Sequence, residues 1–446
     1  MPSPADPTDV LSPRGDLTRR DWLRAVAAAC AALAGVRAGG ATALFAQQAG
    51  INVLRHGVRG DGASDDRAAL EAVLRSAPRG ATVLLPARTY AVSGPVRVAR
   101  DDLVIEAAGA RLVPARGGRT AYLEIGARDR LVSHVTVRGL TVDLANAAAV
   151  PFGVGAFVRG PLLLENVTVR SSPGEGIVVD GGGGLRGGVV LRRCAVHQSA
   201  MQGIHVRAGV PAGRVEDCTV DGSNASGEGG AGIVLRGASC VALRCSVSNA
   251  RDNGIRMYGV GCRAEACRVR RFRVDGVRLM GDDQQAVDCH VSEHLGGSAG
   301  NGLRIRDVRN ARVTRGTFEG CVTGIVVVNR EGRDPVGAVI TGATCRLNSV
   351  AGIAVRAGSG HSLQGNVVYN NGRYGILGAG NAANVQVRGN RCYDDRPRRR
   401  QRFGIYTEPT TRGWRVAEND SRSAAHAEAG IRLRGAGHVM GTNRAQ

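Results

Sequence analysis

The sequence contains no lysine, few aromatic residues and fewer acids than bases. All 59 basic residues are arginine and stand against 38 acidic residues, so the net charge is +21 over 446 residues. Aromatic residues make up 3% of the chain, which excludes a large aromatic core and leaves few rings for sugar stacking. The surplus of positive charge favours polyanionic partners through steering and retention.

Other absences exclude whole classes of protein. We find no Walker phosphate loop, no nucleophile elbow and no His-Glu-x-x-His helix. No stretch of about 20 uncharged apolar residues follows the N-terminal region, which predicts no membrane span. Because 43% of the residues are hydrophobic and recur regularly, the chain is expected to fold.

Residues 1–43 predict an export signal. The pair Arg19-Arg20 precedes Trp22 and an alanine-rich, weakly hydrophobic stretch, and residues 41–43 offer a small-x-small cleavage site. This resembles a bacterial twin-arginine signal, which implies a periplasmic or secreted protein. The alternative is an ordinary N-terminal helix with a chance arginine pair.

Two markers recur with one spacing, which indicates a structural repeat. Gly254 and Gly276 each open a Gly-(Ile/Val)-x-aliphatic element 22 residues apart, and Cys245, Cys267 and Cys289 keep the same step. The glycine marker recurs at Gly176, Gly203, Gly232, Gly254, Gly276, Gly302, Gly324, Gly352, Gly375, Gly404 and Gly430.

The repeat predicts an all-β, right-handed parallel β-helix. Its average length of about 25 residues and its short alternating segments fit three strands per coil. A propeller would need about 40–50 residues per repeat, and the leucine ladder of a leucine-rich repeat is absent. We expect about 11–14 coils and a short N-terminal cap that contains a helix.

Residues 44–100 form the predicted cap and first coils, and residues 101–446 the repeats. Asp61 in Gly-Asp-Gly, the pair Asp65-Asp66 before an apolar-periodic run, and an aliphatic-Pro-x-x-x-Tyr element resemble the start of pectate-lyase-superfamily and tailspike-like β-helix proteins. The resemblance implies a plug for the open end of the β-helix, with these aspartates in turns and at the helix cap. A catalytic role for them is the alternative.

A cysteine column and an asparagine column predict a tight-turn ladder between coils. The column comprises Cys194, Cys218, Cys245, Cys267 and Cys289, followed later by Asn366, Asn390 and Asn419. Cys240 and Cys245 lie about 16 Å apart along a strand, too far to share one metal ion. Stacked disulfides, for example Cys240 with Cys262, remain an alternative to reduced, packed thiols.

Strand alternation places an arginine stripe on the outer surface. The outward positions in the coils marked by Gly203 through Gly302 include His205, Arg207, Arg236, Arg256, Tyr258, Arg278, Arg304 and Arg306. Stacked like charges are destabilising, so a stripe without interleaved acids predicts that a polyanion supplies the missing charge. The alternative is chance in an arginine-rich chain.

Three insertions lengthen the turn before the Gly-Ile strand, and insertions at one repeat position usually mark the working side of a solenoid. They lie within residues 220–232, 291–302 and 392–404 and carry Glu228, Glu293, His294 and the arginines 398–400. In pectate-lyase-like enzymes, which the chain resembles along nearly its whole length after residue 43, the substrate groove lies on this strand and turn.

The resulting hypothesis is an exported β-helix protein that binds an acidic polysaccharide. If the protein is an enzyme, the hypothesis is that it cleaves this polysaccharide by β-elimination. The candidate substrate-binding residues are Arg207, Arg236, Arg256, Tyr258 and Arg306. The candidate proton acceptors are Arg278, Arg304, His205 and His294. Ca²⁺ is the candidate cofactor, with Asp282, Asp283, Glu228 and Glu293 as ligands.

Other hypotheses stay open. The chain also resembles twin-arginine-exported repetitive β-helix proteins without an assigned reaction, which favours a non-catalytic structural or adhesive envelope protein. Asp282-Asp283 with Arg304-Ile305-Arg306 resembles fragments of the polygalacturonase pattern, but Asn-Thr-Asp and Gly-His-Gly are missing.

An epimerase is disfavoured because Val336 follows Asp-Pro where that family has histidine. The export signal argues against nucleic acid, and an exposed last strand leaves homo-oligomerisation open.

Overall fold

The computed structural model describes residues 50–116, 120–145, 147–148, 150–182, 184–223, 230–296, 300–330 and 332–445. The predicted export signal, residues 1–43, and the predicted ligand Glu228 lie outside the described residues. The described chain winds into a right-handed parallel β-helix, as the repeat predicted. Each coil passes through three parallel sheets, here called sheets 1, 2 and 3 in the order in which the chain meets them.

The strands of each sheet stack in chain order with parallel pairing. Sheet 1 contains Ile51–Asn52, Thr82–Leu84, Leu103–Glu106, Val135–Arg138, Leu162–Glu165, Val189–Arg192, Arg214–Glu216, Val241–Leu243, Arg263–Glu265, Gln285–Val287, Arg312–Thr314, Val339–Thr341, Ser362–Gln364, Gln386–Arg388, Arg415–Ala417 and Val439–Met440. Sheet 2 contains Asp61–Asp65, Thr89–Val92, Arg111–Pro114, Thr141–Asp143, Thr168–Ser172, Ala195–Ser199, Thr219–Ser223, Ser246–Ala250, Arg268–Phe272, His290–Ser292, Thr317–Glu319, Thr344–Arg346, Val367–Tyr369 and Arg391–Tyr393. Sheet 3 contains Pro95–Val98, Tyr122–Ile125, Phe152–Val158, Glu175–Gly181, Ile204–Val206, Ile233–Leu235, Ile255–Met257, Asp275–Leu279, Asn301–Arg306, Thr323–Val328, Ala351–Val355, Tyr374–Gly378, Phe403–Thr407 and Ala429–Arg432.

The core is a set of apolar columns that run along the β-helix axis. Ile255 pairs with Ile233 in one neighbouring coil and with Val277 in the other, and all three side chains are fully buried. A shift of one residue would turn such a column to solvent, so the pattern determines the register of every coil.

The N-terminal end is covered by the α-helix Arg67–Ser76, which buries Leu70, Val73 and Leu74. Asp66 lies at the start of this helix, and its carboxylate accepts hydrogen bonds from the backbone N–H groups of Arg59 and Gly60. Asp66 therefore has the predicted turn role and occupies the N-cap position, but its side chain makes no capping hydrogen bond to the helix. Short 3₁₀ helices span Val53–His56 and Ser423–Ala425. No helix in the described part of the chain is long and apolar enough to cross a membrane.

The predicted cysteine and asparagine ladders are present at the turn between sheets 1 and 2. The Cys245 thiol contacts the Val215 carbonyl of the preceding coil at 3.2 Å, and the described cysteines are buried and free. Farther along, Asn366 Nδ2 donates to Asn390 Oδ1 at 2.8 Å, and Asn390 Nδ2 donates to Asn419 Oδ1 at 2.9 Å. The two columns therefore occupy the same turn position in successive coils. The cysteine thiols contact backbone carbonyl groups there, whereas the asparagine side chains hydrogen-bond to one another.

Candidate functional site

The arginine stripe lies on the outward surface of sheet 3, which we call the sheet 3 face. Arg256, Arg278 and Arg304 are direct neighbours in adjacent parallel strands. The first two are only 7% exposed, so they line the face and do not extend into solvent. Such burial requires partners, because an unpaired buried charge is costly.

The partners come from one more outward-facing position, the residue directly before the marker glycine. Simple alternation of inward and outward residues does not predict that this residue faces outward. A Cβ on Gly276 would lie 2.1 Å from Cγ1 of the core residue Val291, so only glycine fits and its hydrogens face the core. Both Gly276 and Val277 thus face inward, and the preceding Asp275 shares the outer surface with Arg278. The signal was in the sequence, since Glu175 and Asp275 both directly precede a marker glycine.

Asp275 is the centre of the sheet 3 face. Its fully buried carboxylate accepts from Arg278 Nε at 2.6 Å, from Asn301 Nδ2 at 2.8 Å and from Arg304 Nε at 3.1 Å. Charged hydrogen bonds of this kind are the strong ones. The expectation of a stripe without interleaved acids is therefore wrong, because the acids come from the residues before the glycine.

In the neighbouring coil Asn253 aligns with Asp275, and the acid is Asp252, one residue earlier. Its carboxylate pairs with Arg256, and Asn253 Nδ2 donates to it at 2.7 Å. Burial raises the pKa of Asp252, and the charge of Asp275 adds to this effect, against the attraction of Arg256. The Tyr258 hydroxyl accepts from Arg256 at 3.2 Å. The guanidinium of the predicted binding residue Arg236 lies 4.4 Å from the Tyr258 ring centroid.

His205 and Arg207 are also engaged by acids. His205 Nδ1 lies 2.6 Å from Glu175 Oε1, while Arg207 contacts Glu175 at 3.3 Å and Asp180 at 3.2 Å. Burial opposes ionisation of Glu175, but the hydrogen bond from His205 and the nearby positive charges outweigh it and lower the pKa of Glu175. His205 Nε2 is buried and has no hydrogen-bond partner among the residues that the structure describes.

Positive charge remains in excess around Arg304. Burial lowers the pKa of Arg304; Asp275 opposes this effect, and the charges of Arg278, Arg306 and Arg330 add to it. Arg306 pairs with its neighbour Asp307 through Nε at 3.0 Å. Arg304 uses only Nε in its contact with Asp275, and its terminal nitrogens have no hydrogen-bond partner among the described residues.

The three predicted metal ligands that the structure describes, Asp282, Asp283 and Glu293, do not assemble into one site. Asp282 and Asp283 lie in the turn between sheets 3 and 1, where Asp282 pairs with Arg333 at 2.6 Å and Asp283 accepts from Asn310 at 3.1 Å. Glu293 lies at the far end of the coil, after sheet 2, and is exposed. No group of three His, Cys, Asp or Glu side chains suited to a metal ion occurs among the described residues.

The four predicted proton acceptors do not form a single group. His294 Nε2 lies 2.9 Å from the Arg273 carbonyl, and its ring packs on Phe272. Arg278 and Arg304 meet at Asp275, whereas His205 lies several coils away. At about 4.8 Å per coil, the four steps between His205 and Arg304 span about 19 Å.

An aromatic patch extends the sheet 3 face toward the C-terminus. The Phe403 and Tyr406 ring centroids lie 4.8 Å apart, and Tyr374 lies 5.3 Å from Tyr406. Tyr374 and Phe403 directly precede marker glycines and so occupy the same outward column as Asp275. The low aromatic content had suggested few such platforms, but the fold collects the rings in one place.

Sequence patterns of two families match the chain. The family described as a right-handed β-helix region matches residues 155–298 and 275–439. The family of pectate-lyase-like rhamnogalacturonase A and epimerase proteins matches residues 50–108. No curated protein sequence matches the chain.

Several solved structures are similar in fold. Pre-mature gene product 12 of bacteriophage phi29 is 14% identical with a TM-score of 0.63, over 89% of this chain and 57% of that one. The catalytic unit of a GH87 α-1,3-glucanase from Streptomyces thermodiastaticus is 12% identical with a TM-score of 0.51, over 92% of this chain and 72% of that one. A mannuronan C-5 epimerase A-module from Azotobacter vinelandii is 18% identical with a TM-score of 0.45, over 88% and 98%. At these identities the likeness concerns the fold alone.

Proposed function

This chain belongs to the right-handed β-helix family of pectate-lyase-like proteins, and we propose that it binds an acidic polysaccharide along the sheet 3 face. The observation that carries the proposal is the environment of the Arg304 guanidinium group. Its terminal nitrogens have no described partner, and the positive charges of Arg278, Arg306 and Arg330 act on it against the attraction of Asp275.

A uronate carboxylate is the ligand group that fits this environment. The planar guanidinium binds a carboxylate through two parallel hydrogen bonds, and partial burial strengthens the attraction. The bound anion would also offset the repulsion among Arg304, Arg306 and Arg330. A neutral sugar supplies no such charge, so the proposed selectivity is for acidic polymers.

We propose binding without cleavage. β-Elimination requires a proton acceptor beside the group that neutralises the uronate carboxylate. His205 has a ring nitrogen without a partner in the described part of the chain, but about 19 Å along the axis separates it from Arg304. Arg278 is occupied by Asp275. The sequence of residues 1–43 supports export, so the proposed site of action is the periplasm or the cell exterior.

The substitution Arg304→Gln tests this proposal. We expect a loss of affinity for polygalacturonate of about 10- to 100-fold, the equivalent of one charged hydrogen-bond pair, by isothermal titration calorimetry. Arg312→Gln is the matched control, because Arg312 is exposed on sheet 1 in the same coil.

Unchanged binding by the Arg304 variant, or equal binding of the neutral polymer dextran, would contradict the proposal. Ultraviolet absorbance from unsaturated sugar ends, with and without chelator, reports cleavage. Product formation by the wild-type protein would show a lyase and overturn the non-catalytic role.

A further inference from the structure

Sheet 2 ends earlier than the other two sheets, and a cleft opens at its last strand, Arg391–Tyr393. The cleft encloses about 410 Å³. Its charged and aromatic lining residues are Arg391, Tyr393, Asp394, Asp395, Arg399, Asp420 and Arg422. A volume of this order suits a small ligand or the end of a larger one.

The wall of the cleft is a flat stack of rings and a guanidinium group. Tyr393 stacks on Tyr369 with centroids 4.9 Å apart and planes inclined by 5°. The Arg391 guanidinium lies over the Tyr393 ring, 4.7 Å from its centroid. Arg346, one coil before Tyr369, donates to the Tyr369 hydroxyl at 3.2 Å. The stacked rings are therefore held by an arginine at each end, Arg346 at Tyr369 and Arg391 at Tyr393.

The loop beside the cleft, residues 394–402, is held by its first residue. The buried carboxylate of Asp394 accepts from Arg396 Nη2 at 2.6 Å and from the backbone N–H groups of Arg400 and Gln401, each at 2.7 Å. Gln401 continues into a buried column through Asn371, whose Nδ2 donates to it at 3.2 Å. The loop therefore presents its outer side chains from a fixed backbone, which is what a binding site needs.

The outer side chains beside the cleft are arginines, and some of their N–H groups make no hydrogen bond to the described residues. Arg399 donates through Nε to the Asp394 carbonyl at 3.3 Å, and its terminal nitrogens have no partner among the described residues. Across the cleft, Arg422 contacts Asp420 at 3.3 Å, and both are partly exposed. Asp395 accepts from Asn370 at 2.7 Å. The cleft thus offers arginine donors next to carboxylate acceptors.

We propose that this cleft is a second binding site, separate from the sheet 3 face, that takes the end of an anionic oligosaccharide. The anionic group of the sugar pairs with Arg399 and Arg422, and its hydroxyl groups donate to Asp395 and Asp420. The Tyr393 and Arg391 stack packs against the sugar ring. A phosphodiester chain fits less well, because Arg391 lies over the Tyr393 ring on which a base would stack.

The site has its own residues, so it can be tested apart from the proposed function. Isothermal titration of the full chain with a galacturonate trisaccharide should detect two sites. The double variant Arg399→Gln/Arg422→Gln should lower affinity at one site at least about tenfold and leave the Arg304 site unchanged. The matched control is Arg412→Gln/Arg415→Gln, two exposed arginines at the adjacent sheet 1 strand.

A cleft variant that binds like the wild-type protein would overturn the second site. So would tighter competition for the cleft by single-stranded oligothymidylate than by the trisaccharide. If Arg304→Gln lowers the affinity and the cleft double variant does not, the sheet 3 site is supported and the cleft site is refuted. Unchanged thermal unfolding of each variant is required for these comparisons.

Discussion

At the scale of single residues, Asp275 determines the charge balance of the sheet 3 face. Its carboxylate has no solvent contact and accepts from Arg278, Asn301 and Arg304. The arginines on either side are packed too closely to be hydrated freely. Removal of the carboxylate would leave two buried positive charges without compensation.

Asp275→Ala should therefore lower the free energy of unfolding by about 3–5 kcal/mol. Asp288→Ala is the control, because Asp288 and Arg315 form a similarly short ion pair, at 2.5 Å, with side chains 42% and 60% exposed. That exposed pair should contribute about 0–1 kcal/mol. Denaturant unfolding followed by circular dichroism measures both variants, and equal losses would show that burial of Asp275 has no special effect.

At the scale of elements, the turns between sheets 2 and 3 differ in length from coil to coil. The coils there keep the same strands while the turn lengthens, and the loop of residues 394–402 is ordered by Asp394. Burial opposes ionisation of Asp394. The hydrogen bonds from Arg396, Gln401 and Arg400 outweigh this effect and lower the pKa of Asp394 to about 2.

This shift predicts a pH dependence of stability. The pKa of Asp394 is lower in the folded chain than the value of about 4 in the unfolded chain. Its stabilisation is therefore complete above about pH 4 and is lost as the pH falls toward about 2. Asp394→Asn should be about 2 kcal/mol less stable than the wild-type protein at about pH 7, and the two should converge near about pH 2.

Denaturant unfolding at several pH values measures this difference. Asp395→Asn, which alters the exposed neighbour of Asp394, is the control and should show little convergence. A difference between Asp394→Asn and wild type that stays constant down to about pH 2 would contradict an ionised anchor.

At the scale of the whole molecule, buried ion pairs and net charge have separate consequences. Many arginines of sheet 3 are paired locally, yet the chain carries a net charge of +21. Long-range attraction of a polyanion depends on this surplus and is screened by salt, whereas buried pairs are screened much less.

Binding of polygalacturonate should therefore weaken at least about tenfold when sodium chloride is raised from about 0.05 to about 0.5 M. Titration calorimetry at both concentrations measures the change, and stability of the fold should be nearly unaffected. Salt-independent affinity would indicate that the net charge does not contribute to polymer binding.

The repeat pattern alone determined the coils, the three sheets and the turn ladders. Each depends on which residues face the core, and the spacing of apolar residues, glycine, cysteine and asparagine records that directly. Cys245, Cys267 and Asn390 occupy the positions that their spacing predicted.

Only the tertiary structure decided how charge is distributed on the outer surface. The partners of Arg278 and Arg304 depend on a break in alternation at Gly276, which turns Asp275 outward. Asp275 pairs with Arg278 in its own coil and with Arg304 in the next coil, and no period in the sequence specifies which donor meets which acceptor. The core repeats and can be read from spacing, whereas the surface is a set of individual contacts between coils.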